Sequence, residues 1–108
     1  MRSILVAVSA LPNALFWRQN VGVGASFGGR VMRFGVPGMA DIGGVFRGRH
    51  VEIEVKASSG RQSKQQRRWQ RAVERAGGVY VLARTPDEAL SALADLDATG
   101  VPDAESKP

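Results

Sequence analysis

Two acidic residues and a lysine in the middle of this sequence have the types and spacing needed to hydrolyse a phosphodiester. Asp41 precedes a short apolar segment, and Glu54 and Lys56 belong to the run Val51–Lys56. Side chains alternate along a strand, so Glu52, Glu54 and Lys56 share one face, opposite a β-branched face. Carboxylates bind Mg²⁺ or Mn²⁺, and a neighbouring lysine adds positive charge or orients a water molecule. The combination predicts a metal-dependent nuclease centre.

The geometry of this centre depends on how two strands pair. The pattern predicts antiparallel strands over Met39–Phe46 and His50–Ala57. If an even-length loop joins them, Asp41 lies directly opposite Glu54, on the same face and within about 5 Å between Cβ atoms. A bulge at Gly43–Gly44 would shift the register by one, so both registers stay open. Two opposed carboxylates repel each other without a cation, which favours a metal site.

The composition limits the class of protein. A length of 108 residues suits one domain with a modest core. The 15 Lys and Arg against 10 Asp and Glu give a net charge of +5, which favours a polyanionic partner such as nucleic acid. The absence of cysteine excludes disulfides, thiol catalysis and cysteine zinc sites. The single histidine cannot form a zinc site by itself.

The N-terminal region is apolar over Ile4–Leu15, but Asn13 interrupts it and the run is too short to span a membrane. We therefore expect a packed helix of a cytoplasmic protein rather than a signal peptide. Ser3 is a candidate cap for a helix over Ile4–Leu11. The segment Ala14–Asn20 fits either a second helical turn or the start of a strand.

The stretch Val21–Gly38 is rich in glycine and has Arg30 and Arg33 as its only charges. Its start, Val21–Gly24, resembles a nucleotide-binding glycine pattern but lacks the full spacing. A flexible strand or loop is the favoured interpretation, with glycine letting the backbone lie close to a phosphate chain.

A basic amphipathic helix is predicted over Lys64–Ala76, capped by Ser63. Its charged side carries five basic residues that favour phosphate contact, namely Lys64, Arg67, Arg68, Arg71 and Arg75. Gln66 has two open roles, because it completes a capping box with Ser63 and could also serve the chemistry.

The C-terminal third predicts a buried strand over Val79–Ala83 and then a helix that a capping box at Thr85 opens and that ends near Leu96. Residues 1–98 are expected to form one domain, and residues 99–108 a flexible tail.

Several of these residues together resemble the VRR-NUC family, a branch of the PD-(D/E)xK nuclease superfamily. The resemblance covers about residues 16 to 85. It rests on three motifs in order and a closing glycine pair, namely Gly38-x-x-Asp41, Glu54-x-Lys56, Gly60-x-x-Ser63-x-x-Gln66-x-x-Trp69 and Gly77-Gly78.

The resemblance implies an α/β fold, restriction-endonuclease-like, with a central mixed sheet flanked by helices. It implies that Asp41 and Glu54, together with the backbone carbonyl of Val55, hold Mg²⁺ or Mn²⁺. It makes Lys56 the catalytic lysine and directs Gln66 toward that lysine or the attacking water. One departure is that the chain has no acidic residue before Asp41, where many members place a further ligand.

Stand-alone members of this size, from phages or bacteria, resemble endonucleases that cut branched DNA such as four-way (Holliday) junctions or flaps, and similar enzymes act as homodimers. A role in DNA repair would follow. Seven basic residues are assigned to DNA contact, namely Arg18, Arg30, Arg33, Lys64, Arg67, Arg68 and Arg71. The alternative is a catalytically silent nucleic-acid-binding module that retains the nuclease fold.

Overall fold

The computed structural model describes residues 1–19, 22–24, 32–34 and 38–98. The elements in chain order are α1 (Arg2–Ser9), β1 (Ala14–Arg18), β2 (Gly22–Gly24), β3 (Met32–Phe34), β4 (Ile42–Phe46), β5 (Arg49–Val55), α2 (Lys64–Arg75), β6 (Val79–Ala83) and α3 (Pro86–Ala98). Four strands form one sheet in the order β1-β4-β5-β6, and β2 pairs with β3 separately. The prediction of an α/β fold with a mixed sheet flanked by helices is confirmed. The predicted tail, 99–108, lies outside the described residues.

The register of the β4–β5 hairpin follows from its two-residue turn. Arg47 and Gly48 both have positive φ, 53° and 81°, as in a type I′ turn, whose twist matches that of the flanking strands. Pairing then runs without interruption back to Ile42, which is opposite Ile53. The even-length loop is therefore confirmed, and the bulged register is excluded. Both strands are shorter than predicted.

The hydrophobic core lies between one face of the sheet and the helices α1 and α3. Its fully buried members include Ile4 and Val8 from α1, Ile42 and Ile53 from the sheet, and Leu93 from α3. Strand β5 can be central because β4 pairs antiparallel on one side and β6 pairs parallel on the other, with α2 as the crossover.

The structure decides two points about the N-terminal region, the cap of α1 and the conformation after Asn13. Ser3 is not a helix cap, because α1 begins at Arg2 and the cap residue, Met1, makes no side-chain cap hydrogen bond. The segment after Asn13 is a strand rather than a helical turn, since Ala14–Arg18 pairs along its whole length with β4. Tertiary pairing, which local sequence does not encode, decides between the two.

The two later helices are capped as predicted, α2 by Ser63 and α3 by Thr85. Ser63 and Gln66 form a full capping box at α2. At α3 the Glu88 amide donates to Thr85 Oγ1 at 3.1 Å, while the Glu88 carboxylate accepts from the Arg84 amide, one residue before the expected donor. Within the described parts of the chain, no helix has the length and apolarity needed to cross a membrane.

The loop before β4 is held against α2 at Gly38, which gives a stability prediction. Gly38 has φ +85°, and a Cβ there would overlap the Gln65 carbonyl group. Gly48 has φ +81° but open space around it. We expect Gly38→Ala to lower the free energy of unfolding by about 1–3 kcal/mol more than Gly48→Ala, because only the first adds an overlap to the backbone strain. Urea denaturation measures both. Equal losses would show that the loop is not packed on α2.

Candidate active site

Glu52 and Glu54 project from β5 on the face of the sheet that α2 covers, away from the core. Both are buried, with 2% and 3% of their surface exposed. The strand pattern alone favours a solvated or arginine-paired Glu52 rather than a ligand, and the expectation of a solvated or arginine-paired acid is wrong. It failed because the strand pattern gives the shared face but not the helix that closes over it. The two acids have very different surroundings.

The Glu52 carboxylate is well supplied with hydrogen-bond donors. Its Oε1 accepts from Trp69 Nε1 at 2.6 Å and from the Ala40 amide at 3.3 Å. Its Oε2 lies 2.9 Å from His50 Nε2. Gln19 Nε2 lies 3.5 Å from Oε1 and also donates to the Ala40 carbonyl at 2.9 Å. Glu52 thus ties α2 and the segment before Asp41 to the sheet, a structural role that sequence reasoning missed.

The Glu54 carboxylate has fewer partners, and they are unevenly placed. Its Oε2 accepts from Gln66 Nε2 at 2.9 Å and lies 3.4 Å from Lys56 Nζ. Its Oε1 is buried and receives no donor group of the protein, although the Glu54 and Asp41 carboxyl groups share a hydrogen bond when Glu54 is protonated. A buried carboxylate oxygen without a donor or cation is costly, so this atom marks a place where a positive charge would be stabilised.

Asp41 lies opposite Glu54, as the hairpin register requires when it is continued one residue past Ile42. Its Oδ2 accepts from the Val55 amide at 2.9 Å, and its carbonyl accepts from the Gln19 amide at 2.7 Å. The Val55 N–H therefore fixes the Asp41 side chain. The predicted use of the Val55 carbonyl as a ligand stays a prediction.

The electrostatics of the carboxylate pair follow from burial and like charge. Burial and, to a smaller extent, the neighbouring Asp41 carboxylate together raise the pKa of Glu54 to about 7, against the opposing effect of the Lys56 ammonium. One lysine does not compensate for two acids in this position. The pair therefore lacks positive charge at neutral pH.

These residues fit a divalent cation by their chemistry. Asp41 and Glu54 offer hard oxygen ligands, and the unpartnered Glu54 Oε1 is one of them. No group of three His, Cys, Asp or Glu side chains suited to a metal occurs within the described ranges, so two carboxylates and backbone oxygen are the available protein ligands. Such a site leaves coordination positions for water and phosphate.

Gln66 forms the predicted capping box and also contacts the candidate site at Glu54, while its role in the chemistry stays a prediction. Its Oε1 accepts from the Ser63 amide at 2.8 Å in the capping box, and its Nε2 donates to Glu54. The two ends of one amide thereby connect the start of α2 to the carboxylate.

The residues assigned to DNA contact are scattered. Lys64, Arg68 and Arg71 are exposed and, from the helical repeat, lie on the side of α2 opposite Gln66 and the sheet. Arg67 is exposed and donates to the Gln62 carbonyl at 2.9 Å.

The remaining three assigned arginines belong to the N-terminal half of the sequence. Arg18 is exposed at the end of β1 and in register with the core residue Ile42, which puts it on the face away from the acids. Arg30 lies outside the described residues, and of Arg33 only the backbone, in β3, is described. The acids, Lys56 and Gln66 are brought together, and Lys64, Arg68 and Arg71 share a side of α2 that faces away from them.

Comparison with known proteins does not identify the chain: no model of a protein family matches it, and no curated protein matches its sequence.

The raised pKa of Glu54 predicts how stability changes with pH. Between pH 4.5 and about 7 the folded protein retains a proton on Glu54 that the unfolded chain has released. The free energy of unfolding of the metal-free protein should therefore fall as pH rises through that interval. Glu54→Gln lacks this component, so its stability relative to the wild type should grow with pH. Urea denaturation in EDTA from pH 5 to 8 tests this, and parallel pH profiles would contradict it.

The two buried glutamates should respond to the same substitution with opposite sign. Glu52→Gln replaces one acceptor oxygen with an NH₂ group among donors such as Trp69 Nε1, so we expect a loss of about 1–3 kcal/mol. Glu54→Gln at pH 8 should instead stabilise the metal-free protein, because it removes a buried charge. The same denaturation measurements compare them. A loss of stability in both variants would refute the distinction drawn between the two sites.

Proposed function

We propose that this chain is a metal-dependent DNA endonuclease that hydrolyses phosphodiester bonds in branched DNA, of the four-way junction or flap type. The observation that carries the proposal is the buried Glu54 carboxylate opposite Asp41, with one oxygen unpartnered and Lys56 3.4 Å from the other. The four-stranded mixed sheet with helices on both faces is compatible with the PD-(D/E)xK fold that the VRR-NUC resemblance implies.

Each side chain of the site has a specific task in this proposal. Asp41 and Glu54 would hold Mg²⁺ or Mn²⁺, which supplies an acidified water and positive charge for the phosphate. The Val55 amide and the Gln66 amide keep the two carboxylates facing each other. Lys56, with 18% of its side chain exposed, presents its ammonium beside Glu54, where it can orient water or contact the phosphate.

Charged and apolar side chains at the surface support the proposed DNA substrate and the proposed homodimer. The net charge of +5 and the exposed basic side of α2 support binding to a polyanion. A homodimer would suit a branched substrate that needs two cuts. Leu15, Trp17 and Val45 support it, since these apolar side chains are 66%, 42% and 39% exposed on the acid-bearing face of β1 and β4.

The alternative function is a nucleic-acid-binding module without catalysis. The observations that favour it are the basic side of α2 and the presence of only two acids at the site within the described residues. Both functions predict DNA binding, and only the first predicts cleavage.

A cleavage assay on junction, flap, splayed and linear DNA separates the two functions. We expect cleavage with Mg²⁺ or Mn²⁺, none in EDTA, and a loss of about 100-fold or more in Lys56→Ala and in Glu54→Gln, with DNA binding largely retained. Arg61→Ala is the control, because it removes a positive charge from an exposed position of the loop after β5. Wild-type protein that leaves every substrate intact with Mn²⁺ would favour the binding module.

A further inference from the structure

Gln19 holds the backbone on both sides of Asp41. Its side-chain Nε2 donates to the Ala40 carbonyl at 2.9 Å, and this carbonyl belongs to the peptide group that contains the Asp41 nitrogen. Its backbone N–H donates to the Asp41 carbonyl at 2.7 Å, which belongs to the following peptide group. Because the two planar peptide groups that flank a Cα atom set its φ and ψ, one residue restrains both dihedral angles of Asp41.

Strand β1 brings Gln19 to this position. The pairing of β1 with β4 ends at Arg18 and Ile42, and Gln19 and Asp41 are the next residues on the two chains. The Gln19 N–H therefore continues the sheet by one residue beyond its last regular pair. Asp41 depends on this support, since it precedes β4 and lies outside the part of the strand that regular pairing holds.

Gly43 provides the space that the Gln19 side chain occupies. Trp17, Gly43 and Glu52 lie side by side on β1, β4 and β5. A Cβ at Gly43 would overlap the side-chain amide of Gln19, which therefore lies directly over this glycine. A larger residue at position 43 would displace the amide from the Ala40 carbonyl. The glycine is thus required for the contact that Gln19 makes beside Asp41.

The Asp41 carboxylate is held at its other end by β5. Its Oδ2 accepts from the Val55 amide at 2.9 Å, so the tip of the side chain is fixed from one strand and the backbone from another. A ligand that is ordered before it binds has less conformational entropy to lose on binding. Without the Gln19 amide, Asp41 would keep the contact at its tip and lose the one that orients the preceding peptide group.

We propose that Gln19 is a positioning residue for the metal ligand Asp41, and that its side-chain amide keeps the Asp41 carboxylate facing Glu54. The proposal rests on the proposed function, because it takes Asp41 as a ligand of a divalent cation. Hydrogen bonds that orient metal ligands without touching the metal commonly change metal affinity by about 10- to 100-fold.

Gln19→Met removes the amide donor and keeps a side chain of similar length. We expect its Mn²⁺ affinity, measured by calorimetry, to fall about tenfold. The matched control is Gln70→Met, which loses side-chain hydrogen bonds with Gln62 and Glu74 at a half-buried position of α2. That control should lower stability and leave Mn²⁺ affinity unchanged. If Gln19 has only a structural role, its variant will behave as the control does.

Gly43→Ala tests the same contact from the other side. The added methyl group should displace the Gln19 amide and lower Mn²⁺ affinity. In a Gln19→Ala background the same change should alter Mn²⁺ affinity by less than about twofold, because no amide is left to displace. Losses of affinity that add in the double variant would show that Gly43 acts without Gln19 and would contradict the proposal.

A measurement without metal separates the positioning role from the proposed function. In EDTA the Val55 amide should exchange with deuterium about five times faster in Gln19→Met than in the wild type or Gln70→Met, because a displaced Asp41 carboxylate protects it less. If Gln19→Met binds Mn²⁺ as tightly as the wild type, the positioning role is wrong and the proposed function stands. If the wild type binds neither Mn²⁺ nor Mg²⁺, the proposed function is wrong, and with it the role of Gln19 toward a metal ligand, even where the exchange rate responds.

Discussion

The hydrogen-bonded register between β4 and β5 determines which acids of the candidate site face each other. The turn at Arg47–Gly48 fixes which residues face each other, and one step beyond the last paired residue it puts Asp41 opposite Glu54. A shift of one residue would move Asp41 to the core face, because strand side chains alternate. The apolar packing of Ile42 and Ile53 on the other face opposes such a shift. The hydrophobic core and the site thus select the same register.

Glu52 and Glu54 lie on the same face of β5, yet their hydrogen-bond partners differ strongly. Glu52 is buried among donors and strengthens the contact between sheet and helix. Glu54, two residues later, is equally buried but keeps an oxygen without a partner and meets a second carboxylate. Sites that perform chemistry commonly retain such local instability, because a fully satisfied group has nothing left to offer a ligand. The contrast leaves Glu54, rather than Glu52, as the acid with a carboxylate oxygen that can accept a ligand.

The sequence was a good guide wherever local rules decide the outcome. The two-residue turn leads to one of the two hairpin registers that the sequence leaves open, and it is the observed one, while Ser63 with Gln66 predicts the start of α2. It was a poor guide wherever one element covers another. Whether Glu52 is solvated depends on α2 lying over it, and whether the segment after Asn13 is a strand depends on pairing with β4. Neither the packing of α2 over Glu52 nor the pairing of β1 with β4 produces a periodic pattern in the sequence. Ser3 failed for a third reason, since the helix simply begins earlier than its most suitable cap.

The two hydrogen bonds of the Gln66 side chain make the length of the loop before α2 important for the candidate site. The Gln66 amide takes part in the capping box of α2 and also donates a hydrogen bond to Glu54. The eight residues 56–63 therefore have to connect the end of β5 to a helix start whose position is fixed relative to Glu54. An insertion there would rotate or displace the helix and pull the amide away from the acid, even though the loop itself is at the surface. This connection should therefore tolerate exchanges of residue type more readily than changes in its number of residues.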